Sequence, residues 1–557
     1  MLIKRAWNLG KDFFFCKEYR RSAVLLLITS IALELSLVYG NVLIAQWYND
    51  FYTSLQNLDK LALYENLKII TIVLIGLVSS FVAKYVFQSL LFIKWRKFMT
   101  ESYLNKWTKN GVYYGSNLIG HRNDNPDQRI SEDLKSFVSL SISLSFGILN
   151  NIVTLVSFIA MLWVLSGSLK ISVFGFNIEI LGYLVWAALI YSVIDTIITY
   201  RIGRNLAKVD YLQEKKEANF RFAMMRFREN SESISLYKGE EYEKKIFKSA
   251  FEEVVQNFLG IVKINKNLGL WSGMVSQLSG IIPIILAVPR LFAKEINFGG
   301  LMQIRLAFSQ VQGAFAFFAN SITTIAEYKA VVERLTEFNQ TIENWQEIYD
   351  KSNIKISQNN GNEVILRDLS IRSPVDAILQ EKINHTLSPG NSYLITGKNG
   401  SGKSTLVKSM GGIWVFGEGE IIFPKDKVRF FVPQHAYMPF GSLMEAIVYP
   451  SIKEFDEEHI LSLLNEVNLS YLASRLHAQE NWAISLSLGE QQKIALLRAI
   501  IHKPDILIMD ESSSALNPKD EAIIYQFIKK QLPDAIIISV GHHDSLREFH
   551  AQEIVFA

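Results

Sequence analysis

Residues 392–405 read SYLITGKNGSGKST: a mostly apolar run, a glycine-rich loop, then a lysine and two hydroxyls. The stretch LVKSMGG follows at once (406–412), with the spacing of a buried helix. Strand, glycine loop, Lys-Ser and helix is the setting in which GxxxxGK[ST] is a P-loop and not a chance match. Its mechanics assign the residues. Backbone N–H groups of Asn399, Gly400, Ser401 and Gly402 are expected to wrap a β-phosphate, because amides at a helix start carry partial positive charge. Lys403 neutralises the β/γ charge and the Ser404 hydroxyl ligates Mg²⁺, while Gly397 and Thr405 bound the nucleotide-binding set. The expected cofactors are ATP and Mg²⁺.

Four further signals follow in an order that strengthens this reading. DILIMDE (505–511) is a buried-type strand ending in two carboxylates. Asp510 is expected to hold Mg²⁺ and Glu511 to polarise the attacking water; the plainer reading is an acidic strand end that caps the next helix. Gln434, in FVPQHAY, is expected to reach the metal and the water from a loop. His542, in ISVGHHD, is expected to contact the γ-phosphate. Either residue alone reads more simply as a loop residue. The fourth signal, LSLGEQQ (486–492), opens an apolar helix, KIALLRAII. It is a second anion-type helix start in a chain whose nucleotide needs only one.

The rest of the chain is different in kind. It has 557 residues, more than one hydrophobic core holds, with 49% hydrophobic and 20% charged residues. The apolar excess lies in the first 330 or so. Six stretches are long enough to cross a bilayer: roughly 23–46, 67–93, 144–165, 178–200, 268–293 and 299–325. The last two are interrupted by Pro283, Pro289, Arg290 and Arg305. Lys4, Arg5, Lys11, Lys17, Arg20 and Arg21 precede the first stretch, Lys94, Arg96 and Lys97 follow the second, and Arg201 and Arg204 follow the fourth. The positive-inside bias puts these, and both termini, in the cytoplasm. The N-terminal stretch reads as an amphipathic helix on the inner membrane surface. The fold class expected is therefore an α-helical six-span membrane domain followed by an α/β P-loop ATPase domain. The boundaries are 1–340 for the membrane domain, 341–362 for a polar linker and 363–557 for the ATPase. A net charge of +3, with spread-out Lys and Arg, gives nucleic acid binding no support. A single cysteine, Cys16, excludes a disulfide framework.

Charges inside spans are costly. Glu34, Lys84, Asp195 and Arg305 line a path for a polar solute, or they snorkel, or Glu34 and Lys84 pair across a helix interface. Residues 201–267 are rich in Glu, Lys, Arg and Ala; as two antiparallel helices they would reach roughly 50 Å from the membrane. Their turn falls in ESISLYKGEE. Glu217, Arg228, Glu229, Glu232 and Gly239 are the candidates there for coupling to the ATPase, against the plainer reading of a solvated charged face. A second inner segment, 94–143, breaks at GHRNDNPDQR.

The order P-loop, Gln434, LSLGEQQ, Asp510-Glu511, His542 resembles the ATP-binding cassette (ABC) ATPases over 363–557. The resemblance implies that Ser487, Gly489 and Glu490 form the signature, Ser514 to Asn517 the D-loop, and His542 the switch histidine. It also implies that the signature of one chain closes over ATP held by the P-loop of another, so that a chain with one cassette works as a homodimer. Leu488-Gly489 departs from the usual Gly-Gly, Glu490 from Gln and Asn517 from Asp; Arg372 stands where an adenine-stacking aromatic is usual. NPDQRISEDLKSF (125–137), EANFRFAMMRFRENSESISLYKGEE (217–241) and FVPQHAYMPFGSL (431–443) resemble the SbmA/BacA-like and peroxisomal D-subfamily half-transporters, especially YddA-like fusions. This implies a bacterial inner-membrane permease, in contact with lipid, moving peptides, cobalamin or another hydrophilic compound, or else fatty acyl compounds. A membrane-anchored ATPase that senses and moves nothing is the rival reading; six spans with interior charges exceed what an anchor needs.

Overall fold

The computed structural model describes residues 1–119, 125–173, 176–453 and 455–556. They fall into two compact units: Met1–Leu104 with Asn125–Phe338, and Asn105–Asp124 with Asn339–Ala557.

The first unit is helical. In order come α1 (Leu2–Phe15), α2 (Arg20–Gln56) and α3 (Lys60–Thr108). Then α4 (Val112–Ile119), which belongs to the second unit, is followed, beyond residues 120–124, by α5 (Leu134–Ser166) of the first. After a hairpin of β1 (Ser168–Val173) and β2 (Phe176–Leu181) come α6 (Tyr183–Gly203), α7 (Leu206–Glu229), α8 (Ser231–Tyr237), α9 (Glu240–Phe292) and α10 (Phe298–Asp350). Phe13 of the amphipathic α1 is fully buried and stacks on Trp95, with ring centroids 5.9 Å apart.

Five helical stretches among the described residues are long and apolar enough to cross a membrane: Arg20–Gln56, Lys60–Ile119, Pro126–Ser166, Tyr183–Glu229 and Glu240–Phe292. The sixth expected span, 299–325, is a continuous part of α10 but does not reach that apolarity. Gln303, Arg305, Ser309, Gln310 and Gln312 dilute it. Its apolar side still packs: Leu301, Ile304, Phe308 and Val311 join Phe158, Leu184 and Ala287 in one buried cluster. The fourth span also starts later than expected. Residues 178–181 belong to β2, and the helix begins after Gly182 at φ +65. The prolines Pro283 and Pro289 do not end α9.

Two of the expected local features are visible in this unit. The turn in ESISLYKGEE is real: α8 is capped at its C-terminus by Lys238, whose φ is +56, and α9 starts after Gly239. Asn257 ties α9 back to α7 by donating to the Val209 carbonyl at 3.0 Å and the Gln213 Oε1 at 2.8 Å. The start of NPDQRISEDLKSF feeds α5, and buried Asp133 accepts from Arg129 at 2.6 Å and from Arg334 at 2.5 and 2.9 Å. The earlier half of the break at GHRNDNPDQR, residues 120–124, lies outside the described residues.

In the second unit a five-stranded parallel sheet holds the nucleotide motifs, beside a four-stranded mixed sheet. The mixed sheet contains β3 (Asn353–Asn359), β4 (Val364–Arg372), β5 (Ile378–Leu387) and, after β6 (Ser392–Gly397), β7 (Gly417–Pro424), in the order β3-β7-β4-β5. The parallel sheet adds β8 (Arg429–Val432), β9 (Ile506–Asp510), β10 (Ile536–Val540) and β11 (Gln552–Phe556), in the order β11-β6-β10-β9-β8. Strands β9 and β10 are buried at every residue, as their unbroken apolar runs require of a sheet covered on both faces. Helices α11 (Lys403–Met410), α12 (Leu443–Val448), α13 (Glu457–Glu466), α14 (Leu488–His502) and α15 (Pro518–Gln531) complete the unit.

The stretch 341–362 is not a free linker. Helix α10 runs to Asp350 with Trp345 fully buried, and β3 pairs in parallel with β7. Polar Asn and Ser here serve a sheet edge, a use that composition alone does not separate from a loop.

Candidate nucleotide site

The P-loop lies where a buried strand meets a helix. Strand β6 delivers Gly397 at φ +141, where a Cβ would stand 2.3 Å from the Phe556 carbonyl oxygen, so only glycine passes. The loop then turns through Gly400 and Gly402 at φ +84 and +90 before α11 begins. Asn399 and Gly400 are exposed at its crest, while Thr405 is half-buried in the first turn of the helix. Lys403 is buried, and its Nζ donates to the carbonyls of Gly397 at 2.9 Å and Lys398 at 2.8 Å. An ammonium has three donors, so one remains for phosphate. The Ser401 hydroxyl is buried without a partner among the described residues, the kind of group a ligand satisfies.

Ser404 Oγ donates to Asp510 Oδ1 at 2.9 Å, bringing a hydroxyl and a carboxylate from α11 and β9 together. Hard oxygens of this kind suit Mg²⁺, which keeps few protein ligands beside water and phosphate. Burial pushes the Asp510 carboxyl up; the Ser404 bond opposes that and the neighbouring Glu511 charge adds to it, leaving it above its ordinary value.

Glu511 is placed by the backbone. Its φ is +45, a left-handed conformation that costs a non-glycine residue roughly 1–2 kcal/mol, and its N–H donates to the Val540 carbonyl at 3.0 Å. The side chain sits between two others: Gln434 Nε2 donates to its Oε2 at 2.7 Å, and His542 Nε2 lies 3.2 Å from its Oε1. The structure thus brings Glu511, Gln434 and His542 together beside the Ser404–Asp510 pair. Gln434, expected from the sequence to reach the metal and the attacking water, is bonded here to the carboxylate of Glu511.

The signature start is built separately. Ser487 is the N-cap of α14, in a capping box with Glu490. The Ser487 N–H and hydroxyl donate to Glu490 Oε2 at 2.7 and 2.8 Å, and the Glu490 N–H returns a bond to Ser487 Oγ at 3.4 Å. Gly489 faces the D-loop: a Cβ there would come 3.3 Å from the Ala515 carbonyl oxygen. Leu488, in place of the usual glycine, is exposed. Asn517 acts as the N-cap of α15, accepting from the Asp520 N–H at 2.9 Å, a role that Asn and Asp share. Arg372 pairs with Asp376 at 3.1 Å.

Three contributors escaped sequence reasoning. Gln492 ties the signature helix to the D-loop, donating to Ser514 Oγ at 3.1 Å and accepting from the Ala515 N–H at 2.8 Å. Buried Arg498 donates to the carbonyls of Ala446 at 2.7 and 2.9 Å and Tyr437 at 2.8 Å, and burial lowers its pKa to about 10. It fastens the signature helix to the segment that follows Gln434. The third is α4, which belongs to the cassette unit. Gly115 lies against Trp345, where a Cβ would be 1.9 Å from Cε2, and Trp345 Nε1 donates to the Asn110 carbonyl at 3.1 Å. The only hint in the sequence is GVYYGS, two small residues framing aromatics.

Residues 11–292 match the family described as ABC transporter transmembrane region 2, and residues 380–514 the family described as ABC transporter. The chain is similar to the inner membrane ABC transporter ATP-binding protein YddA of Escherichia coli (31% identity over 97% of this chain and 95% of that one). It is similar to ABC transporter D family member 2, chloroplastic, of Arabidopsis thaliana (29%; 99% and 85%). It is also similar to the human lysosomal cobalamin transporter ABCD4 (28%; 83% and 80%).

Proposed function

The chain belongs to the ABC transporter family, a membrane domain and an ATP-hydrolysing cassette in one polypeptide, and we propose that two copies close on two ATP molecules to make one pump. The observation that carries this is the pair of anion-type helix starts in a single chain. On the P-loop face Lys403 bonds to carbonyls of its own loop, Ser404 to Asp510 and Gln434 to Glu511, and the signature face is finished by its own capping box. Two chains related by a twofold axis present one face to the other twice.

Asn399, Gly400, Ser401 and Gly402 hold phosphate by their amides and Lys403 by its charge. Ser404 and Asp510 would hold Mg²⁺, which neutralises charge on the β- and γ-phosphates when bound. Glu511 takes a proton from the attacking water, Gln434 orients that carboxylate, and His542 contacts the γ-phosphate. Ser487 and Gly489 of the partner copy cover the nucleotide from the opposite side; Glu490 holds that helix start in shape. ATP binding closes the cassettes and switches the side to which the membrane cavity opens, and hydrolysis resets it. Segment 105–119 and the turn at 231–239 are the candidates for transmitting the motion.

The membrane part has six spans, the five apolar stretches plus 299–325, with both termini cytoplasmic in the inner membrane. The run of basic residues before the first span and the likeness to YddA support this. The SbmA/BacA-like grouping rests on the stretches 125–137 and 217–241. The solute is hydrophilic or amphipathic, of the size of peptides or cobalamin. Reconstitution in liposomes tests the reading: ATP-dependent movement of labelled solute is expected, and ATPase activity with no movement of any solute supports the sensing role instead.

A further inference from the structure

The membrane unit holds a polar cavity of about 570 Å³ whose walls come from α2, α3, α5 and α10. Glu34 of α2 is buried there; its carboxylate lies 2.7 Å from Lys84 Nζ, and its Oε1 also accepts from the Asn150 amide at 2.8 Å. A charge at this depth is tolerated only when paired, and the pair is neutral overall. One helical turn along α3 from Lys84, Gln88 lines the same cavity, with its Nε2 buried and without a partner among the described residues. Such a donor is costly until something accepts from it.

These observations select a ligand chemistry. Glu34 already neutralises Lys84, so the cavity offers no spare positive charge to a phosphate or carboxylate. An alkyl chain would leave the Gln88 amide unsatisfied. A neutral carboxamide does satisfy it, since it accepts from Gln88 Nε2 and donates to its carbonyl. Phe92, Phe146 and Phe317 line the same space and cover the hydrocarbon part of such a solute. We propose that this cavity binds the uncharged carboxamide groups of the transported solute, with Gln88 making the amide–amide pair and the Glu34–Lys84–Asn150 cluster fixing the wall. Peptide backbones and the amide side chains of corrinoids share this chemistry. The inference rests on the pump reading above.

The test uses the full chain in lipid nanodiscs and measures ATPase rate against concentration of four probes: an N-acetylated, C-amidated pentapeptide of Ser, Asn and Gln; the same pentapeptide with a free amine; cyanocobalamin; and palmitoyl-CoA. Stimulation by the pentapeptide or cyanocobalamin is expected; which of them acts identifies the source of the amides. Gln88→Leu should raise the half-stimulating concentration about tenfold, the loss of one to two hydrogen bonds. Gln88→Glu, which keeps the length, should do the same for neutral amides and shift preference to a pentapeptide with a free amine. Lys68→Ala, on the exposed side of α3, should leave the curve in place. Stimulation by palmitoyl-CoA alone, or amide stimulation indifferent to both Gln88 variants, overturns this site and leaves the pump standing. A protein that responds to no probe and moves no solute in vesicles overturns both.

Discussion

The two faces of the cassette that carry phosphate-type helix starts are finished to different degrees. On the P-loop face, side chains from α11, from β9 and the residue after it, from the loop holding Gln434 and from the end of β10 bond to one another. On the signature face, Ser487 and Glu490 bond to each other, and Gln492 ties the helix to its own D-loop. On the reading proposed above, the first face is a catalytic assembly that needs a cover, and the second is a cover that meets phosphate held by another chain. The difference is what leads us to propose two polypeptides as the minimal working unit.

Removing the base should give the largest effect. Glu511→Gln is expected to lower ATP turnover by about 10²–10⁴-fold while nucleotide still binds, measured by phosphate release beside nucleotide binding. Wild-type turnover would show that the base lies elsewhere. Next in size, Lys403→Ala should weaken nucleotide binding by about 10–100-fold through loss of one charge-assisted phosphate bond. The comparison sharpens when that chain is mixed with a Ser487→Arg chain. Each homodimer should be inactive, and the mixture should recover ATPase, because one of its two sites combines an intact P-loop with an intact signature. No recovery would mean that the two faces serve one chain.

Much of this was legible in the sequence because it is local. Glycines at 397, 400 and 402, a lysine, and a carboxylate pair at a strand end report their own backbone context within a few residues. What was not legible depends on partners far along the chain. Arg498 looks like any helix arginine until the carbonyls of Ala446 and Tyr437 meet it. Gly115 looks like a loop glycine until Trp345 fills the space beside it. Polar composition misread residues 353–359, whose pairing with β7 is a matter of register. For the expected sixth span, 299–325, polar residues lower the apolarity, and one of them bonds within the helical unit, where Gln312 donates to Asp195 at 3.2 Å.

The smallest effects concern stability away from either face. His550 bonds through its ring nitrogens to the Leu546 carbonyl and to Ser539 Oγ, each at 2.7 Å, and burial holds its pKa below the ordinary 6.5. The unfolded chain therefore takes up this proton at higher pH than the folded one. The contribution is fully present above pH 6.5 and is lost as pH falls below it toward the folded value. Thermal unfolding of the full chain in detergent should show a drop in cassette melting temperature on acidification. His550→Gln should flatten that drop, and an unchanged slope would contradict it. Asn517→Asp should change stability by less than about 0.5 kcal/mol, since both residues cap a helix well.

Cross-linking tests the central claim most directly. In chains with Cys16 replaced by serine and Glu511 by glutamine, one population carries Ser401→Cys and the other Ser487→Cys. After mixing, ATP should produce a covalent dimer of the two different chains, absent without nucleotide. Failure of that dimer to form, with nucleotide bound and turnover by a strictly monomeric wild-type chain, would contradict the account.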